Sequence, residues 1–470
     1  MTADPIAPAR RRPVLRAAVA AAVGVGLLTA LAPAAVAGPA AGPPGPGCDG
    51  AVHLAVADGT AWGASVAGPA ADAPAAADDP VTADGPAAGR RDEWTAADAA
   101  LAGMTGPGYS TSALAAVRTD GRLVWRNATG VADLASGAPA DPRGAFRIGS
   151  ATKTFVATTL LQLVGERRLD LDDRLECLLP GIVPHSGEIT VRQLLDHTSG
   201  VADYTQDPAF DYRRPQWLDG GRFRHYALRD LVDISRRYPP AFRPGEDWQY
   251  SNTNYVLVGM VIEKLTGRSW GEEVTRRIIR PLGLRDTRMP EDSPVIPGPH
   301  AHGYYRSDTG PVDVTLLNPS MAGSSGAGTS TAADLTAFLR ALLGGRLLRP
   351  AELAAMQQTT AHGEGRTYGL GLQRMDTPCG SFWGHGGGFP SYVTTMLGSA
   401  DGKRQFAASA TVYDTSDQTA VNAAWQRVAT TALCGPQPAT APASAPASVS
   451  ASAPAPAPGA AEPDLGRRTP

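Results

Sequence analysis

The stretch "SALAAVRTDGRLVWRNA", Ser112–Ala128, sets the architecture. Two strand-like runs, Ser112–Arg118 and Leu123–Ala128, flank Asp120-Gly121, a pair that tolerates the left-handed backbone of a tight hairpin turn. The same device returns near the other end in "YVTTMLGSADGKRQFAASATV", where Tyr392–Leu397 and Gln405–Val412 flank Asp401-Gly402. A helix is predicted from Gln418 to Leu433, and the long segment between the hairpins patterns mostly as helix. Strands at both ends of a helical middle imply an α+β fold. One antiparallel β-sheet, flanked by helices, is assembled from N- and C-terminal pieces, with a mostly helical subdomain inserted between them.

The flanks read differently. Arg10, Arg11, Arg12 and Arg16 precede an apolar, Ala-rich run and then Ala35-Val36-Ala37, the plan of an export signal over residues 1–37, of Sec or twin-arginine type. No later stretch is long and apolar enough to span a bilayer, so a secreted protein with no membrane anchor after cleavage is expected. Residues 38–92 and 436–470 are Ala/Gly/Pro- and Ala/Pro/Ser-rich and have little to bury. The globular unit is therefore expected over 93–435. A net charge of −3 in 470 residues offers no basic face for nucleic acid.

Inside that unit lies "AFRIGSATKTFVATTLLQLV", Ala145–Val164. The chain has 42 Lys plus Arg but only three lysines, Lys153, Lys264 and Lys403. Phe155, Thr159 and Leu163 repeat at helical spacing, with Ser150 near the helix start. Residues three apart share a helix face, so the Lys153 amine can reach the Ser150 hydroxyl. Serine is a poor nucleophile until a neighbour takes its proton. A lysine whose charged form is disfavoured can do so, whereas arginine stays protonated. Position 153 thus calls for a titratable amine.

Two further segments join it. "FRPGEDWQYSNTNYVLVGM" carries Tyr250-Ser251-Asn252, and "FWGHGGGFPSY" carries His385-Gly386-Gly387-Gly388. Ser-x-x-Lys, Tyr-x-Asn and His-x-Gly in this order resemble the penicillin-recognising serine hydrolases, a variant of the motif set of related branches. "ITVRQLLDHTSGV", "IEKLTGRSW", "PLGLRDT", "STAADLTAFLRALLGGRLL" and "YGLGL" extend the likeness to class C β-lactamase-type proteins over Glu93 to Gly435. The Tyr-Ser-Asn and His-x-Gly forms are most similar to secreted D-alanyl-D-alanine carboxypeptidases.

That resemblance implies a β-lactamase/transpeptidase-like fold in which Ser150 is acylated and Lys153 is its proton partner. Tyr250 would protonate the leaving amine and later help activate the deacylating water. Asn252 would hold the substrate amide, and His385 would stand beside the substrate carboxylate. The backbone N–H groups of Ser150 and Gly388 would form the oxyanion hole, with Gly387 in the same strand. No cofactor or metal is implied, and a monomer is expected. Peptidoglycan stem peptides or β-lactams would be the partners. The chain departs from that branch in lacking hydroxyls at Gly386 and Gly388 and an arginine after "YGLGL", where Gln373 holds the aligned place and Arg374 follows it. A β-lactamase, a small-ester or amide hydrolase and a non-turnover binding protein are the rivals on the same scaffold.

Other signals carry less. His385–Gly388 reads HGGG and Gly267–Gly271 reads G-x-S-x-G, but an α/β-hydrolase needs them in the reverse order, with a strand before the nucleophile. Ser269 with Glu272 makes a capping box instead. His300 and His302 have no third ligand nearby. His197 is expected to shape a turn with Ser199 as a capping residue, and Asn127-Ala128-Thr129 is a formal sequon. Of the four cysteines, Cys379 and Cys434 fall on elements expected to pack together, and the resemblance supports that pair. Their loop of about 55 residues corresponds to about 4 kcal/mol in the chain-entropy account. Cys48 and Cys177 are left without an assigned pairing.

Overall fold

The structure is a computed structural model that describes residues 88–105, 109–359, 367–413 and 418–435. The leader read over 1–37, most of the arm over 38–92, the tail over 436–470 and Cys48 lie outside the described residues. The first helix, α1 (Ala88–Ala102), begins ahead of Glu93, the boundary read from composition.

Seven strands form the main sheet: β1 (Ser110–Thr119), β2 (Arg122–Asp133), β3 (Ala138–Pro139), β4 (Gln373–Thr377), β5 (Gly380–Phe389), β6 (Tyr392–Ser399) and β7 (Arg404–Val412). Their order is β3-β2-β1-β7-β6-β5-β4. All of its strand pairings are antiparallel, and β1 meets β7 with Ala113 opposite Ala410 and Val117 opposite Phe406. This is the sheet expected from the two hairpins. At the first turn both Asp120 (φ +48°) and Gly121 (φ +84°) are left-handed, as a primed hairpin turn requires.

Alternation along the strands gives the sheet two apolar faces. Ala113, Ala115, Val117, Phe406, Ala408 and Ala410 pack under α1 and the closing helix α5 (Gln418–Cys434). Leu114, Ala116, Met396 and Ala407 face the larger core with Phe155 and Leu339. Two more helices of that core are α2 (Thr152–Gly165) and α4 (Ala332–Leu343), joined by the Phe155 and Phe338 rings, stacked at 3.7 Å. Cys379 and Cys434 are disulfide-bonded across 55 residues, tying the start of β5 to the end of α5. Cys177 is disulfide-bonded as well.

Most of the regular structure between β3 and β4 is helical. Its long helix α3 (Asn252–Thr266) stops at Gly267, whose φ of +69° only glycine adopts freely. Ser269 and Glu272 then form the expected capping box. One expectation needs correcting. The pattern at Phe155, Thr159 and Leu163 implies a single buried face, yet α2 is buried nearly all round, with Thr154, Thr158 and Ala157 as inaccessible as Leu160. Threonine faces are affordable there because their hydroxyls find carbonyls: Thr154 donates to Gly371 and Thr158 to Thr154.

Candidate active site

Ser150 sits in a short 3₁₀ turn, Gly149–Ala151, that runs directly into α2. The turn is pressed on β5. A methyl on Gly149 (φ +49°) would lie 2.5 Å from the Gly388 carbonyl oxygen. One on Gly387 would collide with the Ile148 carbonyl and sit 3.2 Å from the Ser150 nitrogen. Glycine at 149 and 387 is therefore what lets the nucleophile's backbone meet the strand bearing Gly388. Ser150 remains partly exposed, while Lys153, one turn along, is completely buried.

Lys153 Nζ lies 3.1 Å from Ser150 Oγ, 2.7 Å from Asn252 Oδ1 and 2.7 Å from the Ser325 carbonyl oxygen. Burial pushes its amine down to about 7, with the Asp203 carboxylate opposing the shift. The neutral amine has two hydrogens and one lone pair. The two carbonyl oxygens can only accept, so they take both hydrogens and leave the lone pair facing the serine hydroxyl. The site is arranged for a base.

Tyr250 and Asn252 come from the approach to α3 and its first residue. Burial raises the Tyr250 phenol, and the neighbouring Ser150 side chain opposes that shift. Its ring stands over Lys153 Nζ at 4.8 Å. Asn252 donates through Nδ2 to Asp203 Oδ2 at 3.0 Å, so Asp203, Asn252 and Lys153 form one chain. Asp203 itself is raised by burial. Sequence reasoning passed over Asp203 because it lies in a loop without periodicity, 49 residues before its partner.

His385 is buried on β5. Its Nε2 accepts from the Tyr368 hydroxyl at 2.9 Å and its Nδ1 contacts the Gly386 carbonyl. Burial and the nearby Lys153 hold it down to about 3, so it is neutral and brings no charge. Tyr368, the first residue of "YGLGL", is a site neighbour that the motif's glycines obscured. Arg374 is engaged elsewhere, paired with Asp376 at 2.9 Å. His197 is fully buried against Tyr250, their ring centres 4.3 Å apart.

The other sequence signals fall away from this cluster. Ser269 caps a helix. Ser199 donates to Asn254 Oδ1 at 2.6 Å and accepts from the Val201 N–H. His302 pairs with Asp313 and His300 with the Gly298 carbonyl. The Asn127 amide of the sequon donates to Asp98 at 2.7 Å.

A sequence profile of the family described as Beta-lactamase matches residues 96–429. The chain belongs to the beta-lactamase family. Within it, the chain is 30% identical over 302 residues to penicillin-binding protein 4* of Bacillus subtilis (strain 168), covering 60% of this chain and 64% of that one. It thus spans less than two-thirds of that relative's length. It is 34% identical over 180 residues to esterase EstB of Burkholderia gladioli, covering 37% of this chain and 46% of the other. Among solved structures, a D-stereospecific amidohydrolase from Streptomyces sp. superposes with a TM-score of 0.65 at 38% identity, covering 72% of this chain and 98% of the other. The beta-lactamase family fold and the cluster around Ser150 therefore agree: this is a serine hydrolase scaffold.

Proposed function

We propose that the protein hydrolyses amide bonds through an acyl-enzyme on Ser150, acting on peptides or amides whose acyl residue is a D-amino acid. The observation that carries this reading is the Lys153 lone pair aimed at the Ser150 hydroxyl. As the hydroxyl oxygen attacks the carbonyl, its proton passes to Lys153. The oxyanion forms between the N–H groups of Ser150 and Gly388, donors that stabilise charge as it develops. Tyr250, a phenol kept neutral by burial beside Ser150, protonates the departing nitrogen. Lys153 then returns its extra proton to the tyrosine oxygen, and the reverse relay activates the deacylating water.

The D-configured acyl group is supported by likeness to the D-stereospecific amidohydrolase. Penicillin-binding protein 4* supports acylation by β-lactams and, as the narrower reading, D-alanyl-D-alanine carboxypeptidase action on stem peptides. Neutral His385, glycine at 386 and 388, and Arg374 paired with Asp376 leave the leaving-group side poor in groups for a carboxylate. Simple amides should therefore compete well with carboxylate-ended peptides. The leader read over 1–37 and the Cys379–Cys434 bridge support action outside the cytoplasm.

One panel tests this: D- and L-alanine amides, a D-Ala-D-Ala tripeptide, benzylpenicillin and p-nitrophenyl butyrate, followed by product release and intact mass. Turnover of D-amides over L-amides, with a lasting penicilloyl adduct on Ser150, is the expected result. D-Ala release faster than D-amide cleavage would establish the carboxypeptidase. Rapid repeated penicillin hydrolysis, or ester cleavage alone, would overturn the amidohydrolase reading.

A further inference from the structure

His197 has no part in the chemistry above, yet it is among the most enclosed polar side chains near Ser150, at 0% exposure. It holds a left-handed backbone, φ +67°, uncommon for a residue with a Cβ. Its Nδ1 faces two donors: the Ser251 backbone N–H at 3.3 Å and the Asn254 side-chain Nδ2 at 3.1 Å. Nδ1 must therefore be the bare nitrogen, and the ring hydrogen sits on Nε2, which has no hydrogen-bond partner among the described residues. The ring also packs on Tyr250 with centres 4.3 Å apart. Ser251 is the extended residue (φ −138°, ψ 122°) at which the chain turns into α3, and its own hydroxyl caps nothing. One imidazole thus grips the Tyr250-Ser251-Asn252 segment from two sides.

We infer that His197 is the positioning residue for Tyr250: its Nδ1 clamps the backbone after the tyrosine and its ring face sets where the phenol hydroxyl stands relative to Ser150. This rests on the proposed role of Tyr250 as proton donor to the leaving group. A clamp of that kind acts on proton delivery, so it bears on kcat, while substrate contacts and hence KM are left alone. A left-handed backbone at 197 limits which side chains can replace the histidine without strain. Asparagine tolerates that conformation and can offer Oδ1 in place of Nδ1; phenylalanine keeps a ring but offers no acceptor.

The test uses the wild-type protein, two variants, and a third for the case in which the first does not fold. Nitrogen-15 NMR of histidine-labelled wild-type protein should show His197 protonated on Nε2 alone; a proton on Nδ1 would remove the clamp and overturn the inference. With thermal melts confirming folding, His197→Phe should lower kcat on the best amide substrate by about 10²-fold with KM within about twofold, and His197→Asn should recover at least about tenfold of that loss. Equal activity of His197→Phe and wild type would refute the role of the acceptor. A raised KM at unchanged kcat would refute it too. If His197→Phe does not fold, the tautomer and the kcat of His197→Asn against His197→Gly decide: the acceptor-bearing variant must be the faster. The reading of Ser150 fails separately, through absence of a penicilloyl adduct on the wild-type protein.

Discussion

Lys153 Nζ and Asn252 Oδ1 stand 2.7 Å apart across 99 residues of sequence. The contact orients the amine: with one hydrogen held by Asn252 and another by the Ser325 carbonyl, the remaining direction points at Ser150. Lys153→Arg keeps the positive charge and removes the usable lone pair. Acylation by benzylpenicillin, followed by intact mass, should slow by about 10²–10⁴-fold with the melting curve retained. A near wild-type rate would rule out Lys153 as the proton acceptor.

Burial brings Lys153 down to about 7 from an ordinary 10.5. The acylation rate should therefore climb as pH rises through about 7 and level off above it, because only the deprotonated amine can take the serine proton. The linked stability has the same sign. Between about 7 and 10.5 the unfolded lysine binds more protons than the folded one, so stability gained through this group rises with pH over that window and is flat below it. Stopped-flow acylation across pH 5–9, a range of about four units chosen to bracket the shift, reads the first effect.

Asp203 opposes the shift of Lys153 and anchors Asn252 at 3.0 Å. Asp203→Asn removes the charge and keeps a hydrogen-bonding side chain. The acid limb of the acylation profile should move to lower pH, since the positive form of Lys153 loses its stabilising neighbour. A limb that stays in place, or moves to higher pH, would show that Asp203 does not act on the amine.

Gly387 has no room for a side chain against the Ile148 carbonyl and the Ser150 nitrogen. Gly387→Ala should push β5 off the nucleophile turn and weaken the oxyanion donors, costing about 10²–10³-fold in turnover, the size of losing one such donor. Gly380→Ala, where nothing lies within 4 Å but φ is +126°, should instead cost stability with turnover per folded molecule unchanged. Comparing kcat with melting temperature separates the two.

The Cys379–Cys434 bridge closes 55 residues, so its removal should cost about 4 kcal/mol of stability on the chain-entropy account. The bridge ties β5 to α5 on the sheet face away from Ser150. A double Cys→Ser variant should melt lower and still form the penicilloyl adduct at wild-type rate. Loss of the adduct in folded protein would place the bridge in the catalytic architecture.

The sequence by itself determined the antiparallel sheet and the approach of Lys153 to Ser150. Asp120-Gly121 and Asp401-Gly402 specify hairpins through local backbone preference, and Ser150 reaches Lys153 because residues three apart share a helix face; both are short-range facts. The all-round burial of α2 escaped the pattern because threonine hydroxyls satisfied by the Gly371 and Thr154 carbonyls look polar in sequence. Only the tertiary structure decided that Asp203 supports Asn252, that Tyr368 hydrogen-bonds His385, and that His197 grips the segment of Tyr250. Each of those contacts joins segments 17 to 54 residues apart. No periodicity or local propensity records such a distance; it is set by how the helical segment packs on the sheet.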